Sequence, residues 1–211
     1  SKIKVRLVQK GVCMMEQANR ILTVLEEAGY EAYIVGGCVR DSILGIKPKD
    51  WDITTSALPQ DIKRIFKKTI DTGIKHGTVS VLIDKNTYEI TTYRVDGEYE
   101  DGRHPNTVEF SKSLEEDLKR RDFTINAMAY SHKDGLIDLF AGVEDIKAKR
   151  VNCVGNAVER FNEDALRMLR AFRFSSKLGF EIEDNTLVAI KKNAELIKFV
   201  SIERIVNEFK K

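Results

Sequence analysis

Short apolar strands alternate with amphipathic helices in the first hundred residues, and this alternation restricts the fold more than any other feature of the sequence. Apolar residues recur at helix spacing over residues 17–29, and the run AYIV that follows predicts a buried strand ending at two glycines. A second strand is predicted over residues 51–55, and Pro59 then opens an amphipathic helix. Residues 77–94 predict a hairpin, because two β-branched runs flank a Lys-Asn turn. The pattern indicates an α+β fold.

The second half of the chain changes character near residue 150. The segment S-L-E-E that begins at Ser113 matches a capping box and predicts a helix leading into LKRRDFTINAMAY. From Asn156 onward the periodicity is helical almost throughout, with little strand signal. We therefore expect two domains, an α+β domain at residues 1–150 and an all-α domain at residues 151–211.

Composition excludes little by itself. The chain has 211 residues, of which 42% are apolar, and a net charge of +2 from 35 basic and 33 acidic side chains, so a nucleic-acid partner is neither required nor excluded. The three cysteines, Cys13, Cys38 and Cys153, show no C-x-x-C spacing, which favours a reducing compartment over a disulfide or zinc framework. No signal peptide or membrane-spanning run is evident, so we expect a cytoplasmic protein.

Two aspartates flank a tryptophan in the second predicted strand. Side chains at i and i+2 leave the same face of a strand, so Asp50 and Asp52 are expected to point together while Trp51 points into the opposite layer. Two close carboxylates favour a hard cation, which predicts magnesium. Glu89, in the hairpin, could add a third carboxylate if the strand register allows. Taken alone, the same spacing also fits two solvated aspartates at a strand edge.

A diglycine lies between the first strand and a helical segment. Gly36 and Gly37 would let backbone N–H groups approach a phosphate, and Arg40 follows one turn later as a donor fork. A structural turn with an Arg40–Asp41 ion pair explains the same residues. Neither a P-loop nor a dinucleotide-binding fingerprint occurs in the sequence.

Residues 95–107, VDGEYEDGRHPNT, contain two glycines and a proline without an apolar period. This composition predicts a mobile loop, and its length favours a functional role over a plain surface connection.

Several motifs in order carry a family resemblance. The chain resembles the bacterial class II tRNA nucleotidyltransferases, the CCA-adding enzymes of the polymerase β superfamily, from about Tyr33 to Gly179. The motifs that support this are GGCVRDSILG, DWD, EITTYR, RRDFTINA and EDALRMLRAFRF. The resemblance implies a nucleotidyltransferase head domain with a mixed, roughly five-stranded sheet and a helical neck, acting on the 3′ end of tRNA.

The resemblance also implies roles for individual residues. Asp50 and Asp52 would bind Mg²⁺ as catalytic residues, and Glu89 would assist them. The remaining motif residues would contact the nucleotide. Gly37, Arg40 and Arg121 would hold it, and Asp122 and Asn126 would lie near its sugar. A stripe on the neck would face the base and the phosphates, formed by Asp164, Arg167, Arg170 and Arg173.

The predicted helix at residues 156–178 offers a way to select a base. Its core face is predicted to contain Val158, Phe161, Ala165, Met168, Leu169, Phe172 and Ser176. Cytosine and adenine each present an amino donor beside a ring-nitrogen acceptor, which the Asp164 carboxylate and the Arg167 guanidinium could match. Guanine and uracil present the reverse order and would leave both groups unpaired. The alternative is a surface i,i+3 ion pair between the two residues.

These features together predict a template-independent enzyme that adds CMP and AMP from CTP and ATP to tRNA 3′ ends and releases pyrophosphate. An A-adding enzyme or poly(A) polymerase of the same family is the close alternative, and a non-catalytic RNA-binding or nucleotide-sensing module is the alternative from another class. Family members are usually longer, so we expect either a head and neck only, which could retain just part of the CCA activity, or a naturally short form.

Overall fold

A mixed seven-stranded sheet forms the centre of the protein. The computed structural model describes residues 12–96 and 108–211. The strands of the sheet lie in the order β3-β4-β5-β2-β1-β8-β9. They are β1 (Ala32–Val35), β2 (Asp52–Thr55), β3 (Thr69–Gly73), β4 (Thr78–Ile83), β5 (Asn86–Thr92), β8 (Met128–Ser131) and β9 (Gly135–Asp138).

The only parallel neighbours in this sheet are β2 and β5, and the other five pairs are antiparallel. The mixed sheet was predicted, but the expected five strands are seven. The segment after the RRD motif forms β8 and β9, and the edge strand β3 exposes most of its side chains. Because β3 has no buried apolar alternation, its sequence carries little strand signal.

Nine helices are found in the described residues, five of them in the first part of the chain. These five are α1 (Val12–Glu27), α2 (Gly37–Leu44), α3 (Pro59–Ile65), α4 (Leu114–Lys119) and α5 (Gly142–Lys147). The predicted helix over residues 17–29 is thus confirmed in most of its length, and Pro59 occupies the first turn of α3 as predicted.

The hairpin is confirmed, with its turn one residue earlier than predicted. Asp84 and Lys85 both have positive φ, 47° and 70°, as a two-residue turn with right-handed strand twist requires. Strands β6 (Arg94–Asp96) and β7 (Val108–Phe110) pair with each other. The predicted mobile loop falls mostly between them, and residues 97–107 lie outside the described residues.

The helix predicted at the capping box is short. The Ser113 hydroxyl accepts from the backbone N–H of Glu116 and caps α4, which ends at Lys119. The chain then makes a 3₁₀ turn at Thr124–Asn126 before β8. The RRD motif therefore lies in the connection between α4 and the sheet, which places it beside β1.

The C-terminal part is mostly helical and is packed onto the sheet domain through one continuous core. Its helices are α6 (Ala157–Glu163), α7 (Leu166–Leu178), α8 (Asp184–Asn193) and α9 (Ile202–Phe209). Phe123 and Phe174 meet edge to face across this junction, with ring centroids 5.9 Å apart. The prediction of an all-α region needs one correction, because β10 (Arg150–Val151) pairs in parallel with β11 (Glu181–Ile182).

The predicted single helix over residues 156–178 is two helices. The chain breaks at Asp164, whose extended backbone ends α6 before α7 begins. The break rotates α7 relative to the predicted face, so Phe172 is 49% exposed and Ser176 is exposed, whereas Arg167 and Phe174 are buried. The predicted core face was therefore wrong at these positions.

No helix within residues 12–96 and 108–211 has the length and apolar character needed to cross a membrane.

Candidate active site

A polar cleft between the sheet and helix α7 collects most of the residues singled out in the sequence. Its volume is about 350 Å³. The predicted site residues that line it are Gly37, Arg40, Asp52, Arg121, Asp122, Asn126, Asp164, Arg167 and Arg170, and they are joined by Gly36, Arg120 and Phe174. Residues from distant parts of the chain thus face one cavity.

The carboxylates lie on one face of the sheet. Asp52 begins β2 and is the direct neighbour of Glu89 on β5, so their side chains leave the sheet on the same side. Asp50 precedes the strand and is exposed, while Trp51 between them is buried. The register that the sequence left open therefore places Glu89 next to Asp52.

The charge of Asp52 is not fully compensated by protein groups. The residue is open to solvent, yet the protein atoms around the cleft remove part of its hydration, which is the largest cause of a pKa raised to about 6. Repulsion from Glu89 and Asp50 adds to the increase, and Arg121 opposes it. A carboxylate with these neighbours would be stabilised as an anion by an added cation.

The residues fit a magnesium ion that is bound partly by protein carboxylates and partly by the phosphates of a substrate. Among the described residues, no three His, Cys, Asp or Glu side chains are spaced to hold a metal ion by themselves. Mg²⁺ is usually bound by one or two carboxylates together with waters and substrate phosphates, so a complete protein cage is not required. Asp50 and Asp52 are the oxygen donors available for this role.

The diglycine forms the floor of the cleft. Gly36 has φ 82° and ψ −136°, a conformation that side chains rarely adopt, and a Cβ there would lie 3.4 Å from Arg121 Nη1 and 3.9 Å from Asp52 Oδ2. At Gly37 the missing side chain leaves room for the Arg40 guanidinium, whose Nη2 would be 3.4 Å from a Cβ. Glycine is therefore favoured at position 36 by its backbone conformation, whereas at position 37 a Cβ would make only ordinary contacts with the end of the Arg40 side chain.

Arg40 is almost completely buried behind the glycines. Its Nε and Nη2 donate to Asp41 Oδ1 at 2.9 and 2.7 Å, and its Nη1 donates to Asn126 Oδ1 at 2.5 Å. The guanidinium also lies 5.1 Å from the Phe174 ring centroid. The Arg40–Asp41 ion pair that was expected for a purely structural turn is thus present, at the wall of the cleft.

Asp122 ties the RRD motif to helix α7. Its Oδ2 accepts from Arg170 Nε at 2.7 Å and forms an ion pair with Arg170 Nη2 at 2.7 Å, and its Oδ1 accepts from the Asn126 amide at 3.2 Å. Burial alone would raise the pKa of Asp122, but Arg170 holds it below the usual value. The carboxylate is therefore an ionised anchor for Arg170.

The two proposed base readers lie on the cleft wall but bind other partners. Asp164 accepts from Arg204 Nη1 and Nη2 at 3.2 and 2.8 Å. Arg167 donates to Glu163 at 2.6 Å and to the carbonyl oxygens of Arg160 and Arg120 at 3.2 and 3.1 Å. The i,i+3 ion pair offered as the alternative is not formed, because the break before α7 turns Asp164 toward α9.

Arg173 does not line the cleft. Its Nε donates to Glu208 Oε1 at 2.5 Å, its guanidinium lies 4.1 Å from the Phe174 ring centroid, and it borders a separate groove between α7 and α9. Glu208 and Phe174 were missed in the sequence, as were Asp117, Glu163 and Arg204. Asp117 and Glu163 had a visible signal, because Arg120 and Arg121 follow Asp117, and Arg167 follows Glu163, at helix spacing.

Two protein families match parts of this chain. Residues 32–152 match the family described as "Poly A polymerase head domain". Residues 179–211 match the family described as "Probable RNA and SrmB-binding site of polymerase A".

Similar proteins are named CCA-adding enzymes. The CCA-adding enzyme of Latilactobacillus sakei is 55% identical over 92% of this chain and 49% of its own length, and that of Limosilactobacillus fermentum is 53% identical over 93% and 49%. The crystal structure of the Bacillus stearothermophilus CCA-adding enzyme in complex with CTP has 48% identity and a TM-score of 0.86, over 92% of this chain and 47% of that one. The Thermotoga maritima CCA-adding enzyme complexed with tRNA has 29% identity and a TM-score of 0.79, over 98% and 48%. The chain spans about half the length of the curated relatives it matches.

Proposed function

The chain belongs to the poly(A) polymerase head-domain family, and from this we propose that it is the nucleotide-transferring portion of a CCA-adding enzyme. It would transfer CMP and AMP from CTP and ATP to the 3′ end of tRNA and release pyrophosphate. The observation that carries the proposal is the cleft that Asp52, the diglycine turn, Asp164 and Arg167 line together. Glu89 lies beside Asp52 on the neighbouring strand, and neither it nor Asp50 is a lining residue. The relatives named CCA-adding enzymes, one of them in complex with CTP, support the same reaction.

The carboxylates would perform the chemistry. Nucleotidyltransferases of this family generally use a divalent metal, and we propose Mg²⁺ held by Asp50 and Asp52. When bound, the ion would stabilise negative charge on the reacting phosphate oxygens. Glu89, next to Asp52, would position or deprotonate the tRNA 3′-hydroxyl for attack on the α-phosphate.

The glycine turn and the arginines would hold the triphosphate. Gly36 and Gly37 allow the nucleotide to approach the backbone closely, and Gly37 begins α2. Arg121 extends over Gly36 with its Nε buried and without a hydrogen-bond partner in the described residues. A buried donor without a partner costs stability, and a phosphate oxygen would supply the missing acceptor.

Base selection would rest on Asp164 and Arg167. The Asp164 carboxylate already accepts two bonds from Arg204 and one from the Leu166 N–H, and its remaining acceptor capacity could take the amino group of cytosine or adenine. Arg167 would exchange one of its protein acceptors for the ring nitrogen. Each mispaired group costs about 1–3 kcal/mol, which disfavours guanine and uracil.

The division into a head at residues 1–150 and a neck at residues 151–211 is part of the proposal. The head-domain match ends at residue 152, which supports a boundary near residue 150.

We also propose a cytoplasmic location, since relatives of this kind process tRNA.

Incorporation of labelled nucleotide tests the proposal. Asp52→Ala should abolish transfer of radiolabelled CMP to a tRNA that lacks its CCA end, while CTP binding largely survives. Asp71→Ala is the matched control, because Asp71 is an exposed aspartate on β3 that only pairs with Lys63 at the surface. Retained incorporation by the Asp52 variant would rule out the metal assignment.

The second candidate is an A-adding enzyme or poly(A) polymerase, which the description of the matching family favours. Supplying CTP or ATP alone to tRNA ending before CCA, and then to tRNA ending in CC, separates the candidates. CMP transfer to the first tRNA supports CCA addition, and AMP transfer restricted to the second supports A addition.

A further inference from the structure

A buried carboxylate behind the cleft holds the arginine that faces the diglycine. Asp117 lies on α4, has no exposed surface and does not line the cleft. Its Oδ2 accepts from Arg121 Nη2 at 3.0 Å and from the Thr54 hydroxyl at 3.1 Å. Its Oδ1 accepts from Arg120 Nε and Nη2 at 3.1 and 2.8 Å. One carboxylate thus satisfies donors from three side chains.

These contacts connect Asp117 with the reacting groups. Thr54 lies two residues after Asp52 on β2, so its side chain leaves the same face of the sheet. Arg121 extends from Asp117 across Gly36 to the neighbourhood of Asp52, whose pKa it lowers. The position of the Arg121 guanidinium between the two aspartates is therefore fixed at its Asp117 end.

Asp117 is ionised and binds one end of the Arg121 guanidinium. Burial alone would raise the pKa of Asp117, but Arg121 and Arg120 hold it below the usual range, so the carboxylate stays ionised at neutral pH. Of the Arg121 donors, Nη2 is used by Asp117, whereas Nε is buried without a partner and Nη1 faces Gly36. Arg121 lines the cleft with Nη1 beside Gly36, so Nη1 is the donor that it presents to a ligand there.

We propose that Asp117 is a positioning residue for nucleotide binding, which orients Arg121, and Arg120 beside it, toward the triphosphate of the incoming nucleotide. The proposal rests on the proposed function and adds to it a residue that touches neither substrate nor metal. Asp117 holds the side chains of Arg120 and Arg121, whereas Arg167 contacts Arg120 only at its backbone carbonyl oxygen. The loss of the Asp117 charge should therefore weaken CTP and ATP binding equally and leave base selection unchanged.

Calorimetric titration of this chain with CTP, ATP, UTP and GTP tests the proposal. Asp117→Asn keeps the shape but removes the charge, and it should weaken CTP and ATP binding about tenfold, the effect expected for a misdirected charge-assisted contact. The ratio of CTP to UTP affinity should stay at the wild-type value. In an Arg121→Ala background the same substitution should have a much smaller effect, because the group through which it acts is gone.

Asp145 provides a matched control. It is also a buried carboxylate that accepts from a threonine, Thr124 at 2.7 Å, and pairs with an arginine, Arg150 at 3.0 Å, but it lies outside the cleft. Asp145→Asn should lower the thermal midpoint without weakening CTP binding. A similar loss of CTP affinity in both variants would mean that only general stability had been measured, and would overturn the positioning role.

The outcomes separate the two proposals. If the wild-type chain binds neither CTP nor ATP, the proposed function fails. If it binds them and a folded Asp117→Asn variant binds them equally well, only the role of Asp117 fails. Should that variant not fold, Thr54→Val removes one bond to Asp117 Oδ2 with little change in volume; a several-fold loss of CTP affinity supports the role, and an unchanged affinity overturns it.

Discussion

The ion pair between Asp122 and Arg170 should be the most sensitive link between the sheet domain and the C-terminal helices. Asp122 Oδ2 accepts one hydrogen bond of 2.7 Å from Arg170 Nε and lies 2.7 Å from Arg170 Nη2, and Asp122 is buried. In Asp122→Asn the amide can still accept at Oδ1 from Phe123 N and Asn126, but the charge opposite Arg170 is lost. The substitution therefore removes the ion pair while leaving the other hydrogen bonds of residue 122 in place.

The expected cost follows from the burial of Asp122 and the partial burial of Arg170, whose side chain is 28% exposed. Removing one partner of a buried pair typically costs about 3–5 kcal/mol, because the other charge is left without compensation. Arg170 retains Glu208 at 3.8 Å and the Phe174 ring at 5.3 Å, which places the expectation near the lower limit, about 3 kcal/mol. For a chain of this length that corresponds to a fall in the thermal midpoint of about 6–12 °C.

Urea unfolding of four proteins measures the interaction energy between Asp122 and Arg170. They are the wild type, Asp122→Asn, Arg170→Met and the double variant. The double variant should be more stable than the sum of the single losses predicts, by about 2 kcal/mol or more. Asp71→Asn, at an exposed pair with Lys63, should change the unfolding free energy by less than about 0.5 kcal/mol. A loss below about 1 kcal/mol for Asp122→Asn, or additive losses in the cycle, would refute the argument.

Two further predictions concern stability. Gly142→Ala should cost about 1–3 kcal/mol, because its Cβ would lie 2.4 Å from the carbonyl oxygen of Thr124 and 3.0 Å from Met128, and an unchanged thermal midpoint would contradict this close packing. Acid should weaken the fold, because Asp122 and Glu208 have lowered pKa values: although burial alone would raise both, Arg170 and Arg173 respectively lower them. The two carboxylates contribute to the free energy of unfolding above the pKa that they have in the unfolded chain, about 4, and this contribution is lost as the pH falls below that pKa. Urea unfolding at pH 7 and pH 3.5 should therefore show a smaller decrease in unfolding free energy for Asp122→Asn than for the wild type.

Local patterns predicted the parts of the fold that depend on neighbours in sequence. The strand before the diglycine, the helix at Pro59 and the hairpin follow from short-range periodicity and turn residues, and all are present. Strands β8 and β9 were missed, because β8 comes directly after the RRD motif and its apolar run continues what reads as a helix. Pairing with β1, almost a hundred residues earlier, determines that it is a strand.

The candidate site was predictable to the extent that its residues lie in compact motifs. The register that places Glu89 beside Asp52 depends on a parallel pairing, which sequence spacing leaves undetermined. Likewise, Asp164 and Arg167 were expected to form a pair with each other, since three residues separate them. The backbone leaves the helix at Asp164, and an i,i+3 argument fails wherever the helix is interrupted between the two residues.

The partners found for the base-reading residues change what base selection would require. Asp164 is held by Arg204 from the last helix, forty residues away, and Arg167 is held by Glu163 and two carbonyl oxygens. Each side chain is thus oriented before a nucleotide arrives, so binding would not have to order it and the associated loss of rotamer freedom is already incurred on folding. Selectivity would then arise from side chains that are oriented in advance, with Arg167 exchanging one protein acceptor for the base, and the position of Asp164 would depend on α9 remaining docked against α7. The motif at residues 163–174 therefore does not determine the geometry of either side chain, because Asp164 is held by Arg204 on α9 and Arg167 is held in part by the carbonyl oxygens of Arg160 and Arg120, all of which lie outside the motif.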